Sequence, residues 1–377
     1  MNKHEFTRRT MLGTVMTGAI GAAIGTWSGS ENVLRAAENG VSTDQKTATN
    51  KEILGDPRIR GPFPILSTAF TESGEVDYEV LARQARFVDW CDCHGMIWPQ
   101  SGDSVDYLTM EEKLKGMEVL AETMKGRKSA LCLGVQGKNT EEMLVYARKA
   151  EELDVPAIIS RPPDEGKTED DMYEYWRALA KIVKRPVIIQ TTGGTAYKGP
   201  APSVKLLVQL AKESEFFGYV KEESNPVMQR MRELIAAKPT IKRVMSAWGG
   251  FGWLHQCRLG TEGLVTERCA YSDLLGKMWN AYDAGDYMTA CDMFSKLEFM
   301  LNLKETIPGN QLRSFHLYVL QKRGVFKNRL SRSSYPKNGV PDKSIVFDTK
   351  LSQFETDEID MRLEFIKPSL KQGTFPG

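Results

Sequence analysis

Eight short apolar runs punctuate the chain between residues 62 and 266, and nearly every one gives way to a stretch with helical spacing. The runs are Pro62–Phe70, Gly95–Pro99, Ser129–Gln136, Val155–Ser160, Pro186–Thr191, Phe216–Lys221, Ile241–Ala247 and Gly263–Thr266. Ala157-Ile158-Ile159 and Val187-Ile188-Ile189 are apolar at every position rather than at alternate ones. That pattern points to strands buried on both faces, as in a parallel sheet. Between the runs, Leu114, Met117, Leu120, Ala121 and Met124 share one helical face, as do Met143, Leu144, Ala147 and Ala150. Thr109-Met110-Glu111-Glu112 and Asn139-Thr140-Glu141-Glu142 put a capping side chain ahead of acids, a helix-start signal that also complements the helix dipole. Strand-then-helix units pair in parallel through right-handed crossovers. Eight of them predict an α/β fold of the (β/α)8 TIM-barrel type, with an open doubly wound sheet as the alternative. No GxGxxG follows the first run, which counts against dinucleotide binding. After Tyr271 the pattern turns helical, with runs at Leu274–Ala284, Tyr287–Asn302 and Leu312–Arg323 and a last one near Glu355–Phe365. The predicted organisation is a barrel over 58–268 and a C-terminal helical extension over 269–377.

The segment before the barrel reads as an address. Arg8-Arg9 precedes an uncharged, Gly- and Ala-rich stretch from Leu12 to Trp27. A basic start and a short, weakly apolar core resemble a twin-arginine export signal over 1–37, with Ala36-Ala37 as a cleavage candidate and a polar linker over 38–57. A membrane anchor is the alternative. The export reading implies engagement of the Tat machinery and a periplasmic or otherwise extracytoplasmic location. The 50 Lys and Arg nearly cancel the 49 Asp and Glu, so no basic surplus points to nucleic acid. Cys91-x-Cys93-His94 has no second pair at zinc spacing, so no metal is expected, and no organic cofactor either. The six cysteines leave a disulfide open.

In a barrel, functional groups gather where strands end. Among those ends are Thr68, Gln100-Ser101-Gly102-Asp103, Gln136, Arg161, Gln190-Thr191, Lys221-Glu222-Glu223, Trp248-Gly249-Gly250 and Thr266. Lys221 closes the apolar run Phe216-Phe217-Gly218-Tyr219-Val220. Apolar surroundings disfavour an ammonium and free the amine to attack a ketone, forming an imine. The alternative is a lysine paired structurally with Glu222 or Glu223.

Four stretches carry a resemblance. They are Pro64-Ile65-Leu66-Ser67-Thr68-Ala69-Phe70 with Gly74-Glu75-Val76-Asp77, Leu108-Thr109-Met110-Glu111-Glu112, Gly218-Tyr219-Val220-Lys221-Glu222, and Leu259-Gly260-Thr261-Glu262-Gly263. In order and spacing the chain resembles the dihydrodipicolinate synthase / N-acetylneuraminate lyase family of class I aldolases, over roughly Arg60 to Pro368. The resemblance implies a barrel, an imine at Lys221, a small-molecule substrate and a homo-oligomer. It places Ser101 on a proton-relaying Thr and Gly102 on a Thr that helps hold the substrate carboxylate. With Asp103, Arg161 and Val265, Gly102 makes up the expected substrate-binding set. Departures stand beside it. Gln190 occupies the position of a proton-passing Tyr, and Gln cannot act as a general acid or base near neutral pH. Tyr107 and Tyr197 are candidate replacements. The expected function is a Schiff-base aldolase or lyase acting on a 2-oxo acid or sugar-derived acid, making or breaking a carbon–carbon bond. Two alternatives stay open: a non-catalytic solute-binding barrel, and a lyase or hydratase using Glu222 or Glu223 as base.

Overall fold

Why the continuous apolar runs become strands is visible in their packing. The computed structural model describes residues 54–101, 103, 105–267, 269–305, 307, 312–332, 345–347 and 351–377. The predicted export signal, nearly all of the linker and Gly102 lie outside them. Eight strands appear in chain order: β1 Gly61–Pro64, β2 Gly95–Trp98, β3 Ala130–Gly134, β4 Ala157–Ser160, β5 Val187–Gln190, β6 Tyr219–Lys221, β7 Arg243–Met245 and β8 Gly263–Thr266. Every residue in them is buried. Successive side chains point to opposite faces. Ala157 and Ile159 of β4 therefore join one apolar layer, fed by all eight strands, while Ile158 joins the layer beneath the helices. Burying a side chain of this size contributes about 1.5–3 kcal/mol.

Strands β2 to β7 form a six-stranded parallel sheet in sequence order, and β1 pairs with β8 in parallel. Parallel bridges, Ile65 with Ile97 and Ser246 with Leu264, link the two sheets at either side. A helix follows each strand: α1 Tyr78–Trp90, α2 Met110–Met124, α3 Thr140–Glu152, α4 Glu169–Ala180, α5 Val204–Glu213, α6 Val227–Ala236, α7 Trp253–Leu259 and α8 Ser272–Asp283. The predicted starts of α2 and α3 are built as capping sites. Thr109 and Glu112 form a reciprocal capping box, and Asn139 accepts from the Glu142 amide.

Helices α9 Tyr287–Leu301, α10 Leu312–Lys322 and α11 Gln353–Ile366 follow. Two features correct the expected boundaries. Between α10 and α11, β9 Leu330–Arg332 pairs antiparallel with β10 Ile345–Phe347, so the C-terminal region is not helical throughout. Three-residue strands are too short to show alternation, and β9 is fixed by tertiary contacts: Arg332 donates to Glu112 Oε2 at 2.8 Å and to the Gly74 carbonyl at 2.9 Å. The end of the supposed linker is also anchored. The Asp56 amide donates to Tyr219 Oη at 2.7 Å, and Arg243 donates to the Leu54 carbonyl at 2.7 Å.

Candidate active site

Strand alternation sorts the groups at the carboxyl ends. Tyr219 faces the inner layer and Val220 the outer one, so Lys221 turns inward and Glu222 outward. By the same count Ile188 and Ile159 bring Gln190 and Arg161 inward, while Ile189 sends Thr191 outward. Val265 lies in the inner layer itself.

Lys221 is 4% exposed, and its register partner on β5 is Gln190. Its amine donates to Gln190 Oε1 at 3.1 Å and lies 3.4 Å from Glu223 Oε2. The Gln190 amide nitrogen donates in turn to Thr192 Oγ1 at 3.1 Å, and that hydroxyl donates to Glu223 Oε1. Glu222 is held on the other face. It accepts from Thr191 Oγ1 and the Ser224 amide, both at 2.8 Å, and pairs with Arg230 at 3.1 Å. Thr191 Oγ1 also accepts from the Glu223 amide at 3.0 Å, so one hydroxyl orients both acids. Neighbouring carboxylates thus have different work: one is a brace, the other stands beside the amine.

Arg161 is buried. It donates to Ser101 Oγ and pairs with Asp106 at 2.9 Å and Asp164 at 3.4 Å. It is not the surface ion pair that Asp164 alone would suggest. Burial pushes the Asp164 carboxyl up, against the opposing pull of Arg161. Arg161 lines a cavity of about 330 Å3 with Gln136, Lys113 and Glu142. Burial lowers the Lys113 ammonium, opposed by Glu142. Lys221 is not among the lining residues of that cavity. Asp103 turns back onto the segment that follows β1, accepting from the Thr68 amide at 2.8 Å and from its hydroxyl. Trp98 Nε1 donates to the same Thr68 hydroxyl at 3.0 Å.

The structure brings Lys221, Gln190 and Glu223 together, and Ser101 with Arg161. Tyr197, a candidate for the missing phenol, donates to the Pro200 carbonyl, and burial pushes it up to about 12. Cys93 Sγ faces the Pro62 carbonyl at 3.5 Å, and burial pushes that thiol up to about 12. Among the described residues no group of three or more His, Cys, Asp or Glu could hold a metal, and no helix is long and apolar enough to cross a membrane. Sequence reading missed Thr191 as a brace, although outward positions on adjacent strands, Thr191 and Glu222, were a usable signal. It also missed Asp106 and Arg230, for which no sequence signal stood out.

A model of the Dihydrodipicolinate synthetase family matches residues 58–333. The chain belongs to the dihydrodipicolinate synthetase family. The family anticipated from the four sequence stretches is the family found. L-2-keto-3-deoxyarabonate dehydratase of Azospirillum brasilense is 26% identical over 186 residues, which are 48% of this chain and 58% of the relative. 4-hydroxy-tetrahydrodipicolinate synthase of Chlorobium phaeobacteroides is 27% identical over 190 residues, 50% of this chain and 63% of the relative. The chain thus spans less than two thirds of the length of these two relatives. Among solved structures, dihydrodipicolinate synthase from Aquifex aeolicus matches with a TM-score of 0.68 at 20% identity, covering 83% of this chain and 100% of that one. A likeness at that identity speaks to the fold, and the fold it implies is a (β/α)8 barrel. Proteins of the family act on small molecules and typically assemble as oligomers.

Proposed function

We propose that this protein is a lyase acting on a 2-oxo acid through an imine at Lys221, with Glu223 moving the proton. The observation that carries the reading is the sorting of the two acids: Glu222 is braced by Thr191, Ser224 and Arg230, while Glu223 Oε2 lies 3.4 Å from the amine. The Lys221 amine attacks the C2 carbonyl and water leaves, giving an iminium. Glu223 takes a proton from C3, and the C–H electron pair moves into a C2–C3 double bond as the iminium nitrogen accepts the displaced pair. The enamine then has two outlets. Attack on a second carbonyl carbon forms a carbon–carbon bond, and the reverse cleaves one. A hydroxyl at C4, once protonated, leaves as water. Hydrolysis of the imine frees the amine. Gln190 cannot carry protons and serves to hold the amine. Ser101, its hydroxyl held by Arg161, relays protons at the other side, and Gly102 takes the carboxylate. Similarity to L-2-keto-3-deoxyarabonate dehydratase supports the outlet that eliminates water, from a 2-oxo-3-deoxy sugar acid.

Borohydride reduction with pyruvate tests the imine. One mass shift is expected, on the Lys221 peptide; a shift elsewhere, or none, refutes the reading. Glu223→Gln is expected to trap pyruvate as well as the wild type while turnover falls by about 10²–10⁴, the usual range for a lost general base. The Lys221–Gln190 hydrogen bond at 3.1 Å favours a second reading, a solute-binding barrel whose amine only donates. That reading requires 2-oxo acid binding in the wild type with no trapping at all.

The export reading belongs to the same proposal, supported by Arg8-Arg9 ahead of the uncharged stretch from Leu12 to Trp27. Replacing both arginines by lysine is expected to leave the protein in the cytoplasm. Undiminished export overturns it.

A further inference from the structure

Between α6 and the loop after β7 lies a cavity of about 370 Å3 that the proposed reaction does not use. That volume is at the small end of the ligand-pocket range, and more than twice that of an apolar cavity known to take benzene. Val227, Met228, Met231, Trp248 and Phe251 give it an apolar wall. Trp248 has a left-handed backbone (φ 57°), is 54% exposed, and donates from Nε1 to the Glu223 carbonyl at 2.8 Å. An exposed indole held at a strained backbone position is a feature that clusters at ligand sites.

The polar lining is one-sided. Gln256 is 7% exposed, and its Oε1 is buried with no hydrogen-bond partner. Its amide nitrogen is directed to Met228 Sδ at 3.9 Å, which leaves the oxygen side free. Glu222 Oε2, also on this lining, has Arg230 at 3.1 Å as an ion pair but no partner in hydrogen-bond geometry. A buried acceptor left unmade is costly, so an occupant that donates to it is favoured. The Glu222 charge is already balanced by Arg230, which disfavours a cation.

We propose that this cavity binds a small neutral molecule with an apolar, ring-sized body and one N–H or O–H donor, seated against Trp248 and hydrogen-bonded to Gln256 Oε1. The assignment stands apart from the imine chemistry and survives its failure.

Calorimetric titration of the full chain with indole, and with indene as the isostere lacking the donor, tests it. Indole is expected to bind roughly tenfold more tightly than indene, the upper range for one neutral hydrogen bond. Gln256→Leu is expected to erase that ratio by weakening indole alone. Val227→Trp, or Met228→Trp should the first variant fold poorly, fills the cavity and abolishes both. Failure of indole to bind, an indole-to-indene ratio near one in the wild type, or a ratio unchanged in Gln256→Leu overturns the proposal. A change of oligomeric state in Val227→Trp by sedimentation also overturns it, since the cavity would then be a subunit contact.

Discussion

The two ends of the strands each bury a basic side chain beside a carboxylate and do so with opposite materials. At the amino ends, Arg243 opens β7 fully buried, donates to Glu262 at 2.9 Å and caps the Leu54 carbonyl at 2.7 Å, while Lys238 holds the other Glu262 oxygen. A planar fork with fixed donors is pinned at both terminal nitrogens. At the carboxyl ends, Lys221 presents a flexible stem and a point charge to one neutral amide and one carboxylate 3.4 Å away. The floor ties the chain before β1 to the strands. The mouth leaves an amine whose partners can be exchanged for a substrate. The difference separates a buried basic group that holds the fold from one available to react.

Matched substitutions should pull these roles furthest apart. Arg243→Met is expected to cost about 3–5 kcal/mol, the range for stripping one partner from a buried ion pair. It should leave pyruvate trapping at Lys221 intact in the folded fraction. Lys221→Met is expected to abolish trapping and turnover, with a melting temperature within a few degrees of the wild type, since Glu223 keeps Thr192. Thermal melting and borohydride trapping on both variants check the pair. Equal melting temperatures, or trapping lost in both, would erase the distinction.

Much of this was legible in the sequence for one reason: position along a strand fixes direction. Lys221 ends an apolar run, so the barrel rule and a four-stretch resemblance converged on it. The capping signals at Thr109 and Asn139 were local and proved so. What stayed hidden depends on neighbours distant in the chain. Arg243 sat inside a run that read as apolar, and Glu262 became its partner only across the β7–β8 connection. Glu222 and Glu223 were interchangeable on paper, and the Thr191 hydroxyl, on another strand, is what tells them apart. Trp98 and Trp253 are fully buried while Trp248 is exposed. A ring's burial follows from the loop that carries it rather than from its identity.

That brace gives a smaller, sharper test. Thr191→Val removes the hydroxyl from a fully buried position, leaves Glu222 Oε1 with one donor and takes away the acceptor of the Glu223 amide. A buried group left unmade costs about 1–3 kcal/mol. If the brace also aims Glu223, turnover should fall roughly tenfold, about 1.4 kcal/mol, with KM unchanged. A stability loss with full turnover would show that the brace serves the fold alone.

The smallest effect belongs to the floor and appears only as a slope. His94, just before β2, packs its ring near Trp279 and has a buried Nδ1 without a hydrogen-bond partner. Burial holds it below the ordinary histidine value of 6.5, Asp283 opposing and Arg60 assisting. The unfolded chain therefore binds a proton at this position at a higher pH than the folded one. Stability rises with pH wherever the unfolded state binds more protons. His94 thus makes the fold weaker as pH falls below 6.5, until the folded residue protonates too, and contributes no slope above it. His94→Phe keeps the ring and removes the titration. Its melting temperature should decline less than the wild type's between neutral pH and mild acid, and the two profiles should run parallel above neutrality. Parallel profiles throughout would mean that the ring is hydrated, and that the floor is less tightly sealed than Arg243 and its partners imply.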